Sequence, residues 1–124
     1  MALKILTRTE ELIMKCVWDA SEDLTVAQVI EICKEKYQKS YAPSTVNTFF
    51  LHLSQKGYVE IYKIGHAYHF KQVVSAQEYM KQTFENLCGF YYEGSVAKMV
   101  EAAIKCKRLS AADKKDLRAV LEKI

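Results

Sequence analysis

The sequence predicts a mainly α fold with one small β-hairpin (α+β), and three observations carry that expectation. Apolar residues recur at spacings of three and four over most of the chain, Ser/Thr-x-x-Glu/Gln/Asp signatures mark four helix starts, and the period falls to two between Tyr58 and Phe70. With 124 residues, 50% of them apolar, the chain has material for one or two small cores and too little for a large two-domain enzyme.

Thr7-Arg8-Thr9-Glu10 has capping-box spacing, and Leu12, Ile13, Cys16 and Val17 follow on one face, so a first helix runs from about Thr9 to Ala20. Ser21-Glu22-Asp23 interrupts the pattern. Thr25-x-x-Gln28 then opens a short amphipathic second helix with Val26, Val29, Ile30, Cys33 and Tyr37. Lys39 to Ala42 is a polar connection, and Pro43 suits a helix start because its missing N–H would lack a partner there. The third helix covers Pro43 to Gln55: Val46, Phe49, Phe50 and Leu53 form its buried stripe, and Ser44, Thr45, Asn47, Thr48, Leu51, His52 and Gln55 take the remaining surface. Gly57 ends it in the C′ position.

Past Tyr58, residues Val59, Ile61 and Lys63 alternate with Glu60, Tyr62 and Ile64, Gly65 supplies the positive φ of a tight turn, and Ala67 to Phe70 return. This hairpin occupies residues 59–71 as a two-stranded wing. Ile61 and Ile64 have opposite parity, so only one need face inward, and the pattern does not choose between them.

Three further helices complete the chain. Ser75-x-x-Glu78 begins one that ends at Gly89, Ser95 another, and Ser110-x-x-Asp113 the last. Fifty residues in three short helices make a thin core, which predicts that Tyr79, Met80, Phe84, Leu87, Met99, Val100, Ile104, Leu117, Val120 and Leu121 pack against a second copy. The expected division is residues 1–74, helices plus wing, and residues 75–124, a three-helix dimerisation domain.

Composition excludes several classes. No stretch approaches the roughly 20 apolar residues of a membrane span, and residues 1–8 lack a secretory signal's apolar run, which predicts a cytoplasmic protein without membrane insertion. The cysteines at 16, 33, 88 and 106 have no metal-ligand spacing and read as small apolar residues in helices; Cys88 and Cys106 are the pair placed for an interchain link. His66 and His69 lie close together in the hairpin but fit ordinary wing positions better than a metal site. Trp18 and the tyrosines fit packing roles. Without a Gly-rich phosphate loop, HExxH, GxSxG or a close carboxylate pair, no catalytic residue, metal or cofactor is assigned.

Charge points elsewhere. Residues 34–72 hold six lysines against Glu35 and Glu60, a local +4 in a chain of net +3. Three helices followed by a hairpin can lay the third helix in a DNA major groove about 12 Å wide, with the hairpin along the backbone, as a winged helix-turn-helix. Ser44, Thr45 and Thr48 then offer hydroxyls to phosphate, Asn47 a bidentate contact to adenine, His52 a phosphate or base-edge contact, and Lys56, Lys63, His66 and Tyr68 contacts to the backbone.

At these residues the chain resembles the BlaI/MecI/CopY family of winged-helix repressors. The likeness lies in Leu6-Thr7-x-x-Glu10, Ile13-Met14, Val17-Trp18, Thr25-Val26-x-x-Val29, and Ala42-Pro43-Ser44-Thr45-Val46-Asn47-Thr48 through Leu53 to Lys56-Gly57-Tyr58, and extends over essentially the whole chain. The resemblance implies a homodimer on a palindromic double-stranded DNA operator, one third helix per half-site, with a membrane sensor protease among the candidate partners. Asn47 and His52 stand where penicillinase-type members often carry basic residues. Those members are cleaved in the tail near an Asn-Phe bond, where residues 101–104 here read Glu-Ala-Ala-Ile. The copper branch's CxC motifs are missing, which disfavours copper sensing. A winged-helix module that binds protein rather than DNA is the alternative, and an enzyme ranks third.

Overall fold

The structure, a computed structural model, describes residues 2–124 and divides into two compact units, one ending at Gln82 and one comprising Thr83–Ile124. The order of elements is α1 (Arg8–Asp19), β1 (Leu24–Thr25), α2 (Val26–Tyr37), α3 (Pro43–Gln55), β2 (Val59–Ile64), β3 (Ala67–Gln72), α4 (Ala76–Tyr92), α5 (Val96–Cys106) and α6 (Ala111–Glu122). A mainly α fold with a small β wing is what the sequence predicts.

Helix starts follow local hydrogen-bond chemistry. Thr7, Thr25 and Ser110 each accept from the backbone N–H three residues on, and the side chains of Glu10, Gln28 and Asp113 accept in return from the capping residues' own N–H groups. Ser75 and Glu78 make the same reciprocal pair before α4. Such caps are worth about 1 kcal/mol each. At the far end of α3, Gly57 adopts φ 84°, and the Tyr58 N–H reaches back to the Leu53 carbonyl at 2.9 Å, the bond that closes a left-handed helix terminus.

Gly89 does not end α4. A helical glycine costs only about 1 kcal/mol, and the helix continues to Tyr92, where Glu93 and Gly94, at φ 54° and 80°, turn the chain.

The sheet is one strand larger than expected. β3 lies between β2 and β1, antiparallel to both: Val59 opposes Gln72, Ile64 opposes Ala67, and Leu24 and Thr25 oppose Phe70 and His69. Thr25 therefore ends β1 and caps α2 at once. A two-residue strand leaves no alternation to read, which is why the sequence signals only the cap. Neither isoleucine of the wing turns inward: Ile61 and Ile64 are both exposed, and the sheet presents Val59 and Phe70 to the core.

The core of the first unit joins α1, α2, α3 and the sheet. Phe50 and Phe70 stack with ring centroids 3.6 Å apart, surrounded by the cluster that includes Ile13, Met14, Val29, Val46, Leu53 and Tyr58, all without exposure. Each side chain of this size contributes roughly 1.5–3 kcal/mol by leaving water. Phe49, expected in the buried stripe, is half-buried and meets Tyr41 edge-on.

The predicted boundary after residue 74 moves later because the start of α4 is built into the first unit. Tyr79, expected at a dimer interface, is buried there: its ring lies 5.3 Å from Trp18 and 5.9 Å from Tyr58, and its hydroxyl donates to Glu11. Trp18 donates its indole N–H to the Val74 carbonyl at 2.9 Å, and Gln82 exchanges two hydrogen bonds with the Leu3 backbone. The second unit is different in kind. No residue of α5 or α6 is buried, while Phe84, Leu87, Ile104, Val120 and Leu121 are exposed and Met99, Val100 and Leu117 half-buried.

Candidate nucleic-acid interface

The amphipathic division of α3 produces the site. Val46, Phe50 and Leu53 anchor one side in the core, which leaves Ser44, Asn47, Thr48 and His52 exposed and Thr45 partly so. α3 also differs from the other capped helices of its unit in having no side-chain cap: Ala42 stands at the N-cap and Pro43 at the first position. The Thr45 and Val46 N–H groups turn back to the Ala42 carbonyl at 3.0 and 3.2 Å, so the positive end of the helix dipole, rather than a set of free N–H groups, lies beside these polar side chains.

The Thr48 hydroxyl donates to the Ser44 carbonyl at 3.0 Å, so a phosphate contact by Thr48 must replace that bond. The exposed Asn47 borders a cleft of about 400 Å³ together with Pro43, His66, Ala67 and Tyr68. Thr25, Val26, Ala27 and Ile30 form its other wall. The fold thereby brings the α3 N-terminus and the wing tip to the lining of one cleft.

On the wing, Gly65 at φ 61° forms the turn that carries His66, and the Lys63 ammonium sits 5.3 Å from the centre of the exposed Tyr68 ring, its partner in the strand register. Tyr62 stacks on His69 at 5.3 Å and donates its hydroxyl to Asp23, which fastens the hairpin to the turn after α1. Its hydroxyl is correspondingly harder to ionise, chiefly because it is already bonded to Asp23. Asp23 carried no sequence signal for this task beyond its place in a polar break.

Lys56 is a correction to the sequence reading. Instead of reaching outward, its ammonium lies 2.7 Å from the buried Glu10 carboxylate and 3.0 Å from the Ile5 carbonyl. The cause is Glu10: burial disfavours its charge, but the Lys56 ammonium and the Thr7 donors outweigh that and hold its carboxyl below the usual range. Leaving this carboxylate unpaired would cost more than Lys56 could recover from solvent. Lys36 also approaches a carboxylate outside the basic stretch, Asp19, at 3.8 Å. Of the six lysines, the exposed charge available to a polyanion therefore rests on Lys34, Lys39, Lys63 and Lys71.

Among the described residues, no group of three or more His, Cys, Asp or Glu side chains is arranged to hold a metal, and no helix is long and apolar enough to cross a membrane.

Comparison with known proteins agrees with this architecture. The solution structure of the DNA binding domain of the repressor BlaI superposes with a TM-score of 0.51 at 24% identity, over 63% of this chain and 94% of that one, which establishes the shared fold. A penicillinase repressor of Bacillus licheniformis is 24% identical over 110 residues, spanning 89% of this chain and 84% of that protein. The family model described as penicillinase repressor matches residues 6–123. Because that match takes in both units, the chain belongs to the penicillinase repressor family, the BlaI/MecI/CopY group that its sequence resembles.

Proposed function

We propose that this protein is a transcriptional repressor that binds a palindromic DNA operator as a homodimer. The observation that carries the reading is that the uncapped, polar N-terminal half of α3 and the wing tip line one cleft, in a chain of this family. Asn47 reads a base edge, Ser44, Thr45 and Thr48 hold phosphate, and His52 extends the contact along the groove. Lys63, His66 and Tyr68 follow the backbone from the wing. Lys56 is left out of this set because it serves Glu10.

The exposed apolar side chains Met80, Phe84, Leu87, Ile104, Val120 and Leu121, with the half-buried Met99, Val100 and Leu117, support pairing of two copies through the helical tail. Pairing would set two α3 helices at the spacing of successive half-sites, about 34–36 Å.

Fluorescence anisotropy with DNA from upstream of the protein's own gene tests the reading. A preference over random duplex of about 1000-fold or more, with affinity falling steeply as salt rises, is expected. Equal affinity for both duplexes would refute it. The exposed Leu51, Ile61 and Ile64 favour a second reading, a protein-binding wing; it predicts that an Ile61→Ser, Ile64→Ser variant loses a protein partner and keeps its DNA affinity.

A further inference from the structure

Every cysteine in the chain is a free thiol, and two of them meet in the core of the first unit: Cys16 on α1 and Cys33 on α2 lie with their Sγ atoms 3.8 Å apart, at 2% and 0% exposure. No spacing motif announces this pair, since the two are 17 residues apart. Of the two cysteines in the tail, Cys88 is buried and Cys106 exposed.

A cavity of about 240 Å³ borders Cys16, whose thiol also donates to the Leu12 carbonyl at 3.4 Å. Its walls are Cys16, Asp19, Ala20, Ile32, Glu35 and Lys36, and Cys33 is not among them. A molecule the size of hydrogen peroxide fits such a space easily, since a water occupies about 30 Å³. Of the two cysteines, Cys16 is the one that borders this cavity, and the Cys33 sulfur lies 3.8 Å from its own.

We propose that Cys16 and Cys33 are a site of reversible disulfide formation, which staples α1 to α2 within the DNA-facing unit. Peroxide is the oxidant: Cys16 takes one of its oxygens to become a sulfenic acid, releasing one water. The Cys33 sulfur then attacks the Cys16 sulfur and expels a second water, so the two thiols give up two electrons and both oxygens leave as water. The sulfurs need to close from 3.8 Å to about 2.0 Å.

Burial, aided by the neighbouring Cys33 thiol, pushes the Cys16 thiol up to about 12, against which the Lys36 ammonium at the cavity acts weakly. Thiolate is therefore scarce at neutral pH, and the reaction is slow, on the scale of a sustained oxidative exposure rather than an instantaneous signal. Once made, the link removes conformational freedom from the unfolded chain over a closed loop that contains the α1–α2 turn and β1.

The test is peroxide treatment of the full chain, followed by peptide mapping under non-reducing conditions and thermal unfolding. A Cys16–Cys33 crosslinked peptide, a Tm higher by on the order of 10 °C, and restoration of both by dithiothreitol are expected. Cys33→Ala should retain a singly oxidised Cys16 with no rise in Tm; if that variant does not fold, the mapping of the unsubstituted chain decides. Recovery of both thiols unmodified while Cys106 is oxidised would overturn the proposal. So would a crosslinked protein that melts at the same temperature or lower, because the bond would then be damage and not a staple.

Discussion

The unit ending at Gln82 and the unit Thr83–Ile124 are both made of helices with a clear apolar face, but only the first closes over it. In the first, α1, α2, α3 and the sheet supply surfaces at several angles, and Phe50, Phe70, Ile13 and Leu53 leave water entirely. In the second, Cys88 is the buried side chain among apolar residues that otherwise remain exposed or half-exposed. Amphipathicity identifies which face seeks a partner; whether that partner belongs to the same chain depends on how many surfaces the chain can bring together.

Substitution at matched aromatic positions gives the sharpest contrast. Phe50→Ala should cost about 4 kcal/mol of stability by urea denaturation, because it empties a stacked pair inside a packed core. Phe84→Ala, at 52% exposure, should leave the unfolding of the first unit within about 0.5 kcal/mol and weaken self-association at least tenfold in sedimentation analysis. Equal stability losses at the two positions would break the comparison.

Glu10→Gln comes next, at about 2 kcal/mol near pH 7, since it leaves Lys56 facing a neutral amide at a partly buried site. Its pH dependence carries a sign. The folded carboxyl titrates below its ordinary 4.5, so its contribution is present above that value and disappears as pH falls through the folded one. Denaturation midpoints measured from pH 7 to pH 3 should therefore fall less steeply for Glu10→Gln than for the unsubstituted protein.

Asn47→Ala should act on binding alone: affinity for the operator falls about 10- to 100-fold by anisotropy, with an unchanged melting curve, because the side chain is exposed. The smallest effect is expected from Tyr62→Phe, which deletes the bond to Asp23. Amide exchange at His69 and Phe70 should quicken while overall Tm hardly moves.

Much of this architecture is legible in the order of residues alone, and for local reasons. The caps at Thr7, Thr25, Ser75, Ser95 and Ser110, the bounds of α3 from Pro43 to Gln55, and the turn at Gly65 depend on neighbours within a few positions. What escapes is set by distant parts of the chain. Lys56 reads as a free cation until Glu10, 46 residues away, is seen behind it, and Tyr79 reads as an interface residue until Trp18 and Tyr58 surround it. The Cys16–Cys33 contact is hidden in the same way. The exposed face of α3 is readable because helical periodicity alone fixes which side chains point away from Phe50.

Thr25 has a mechanical consequence. Its hydroxyl holds the first turn of α2 while its backbone is paired with His69 in the strand that returns from the wing. The hairpin cannot swing far on this hinge without fraying α2, so the reach of the wing and the first turn of α2 are geared together. A sequence change that lengthens the turn between Asp19 and Leu24 would therefore alter both at once.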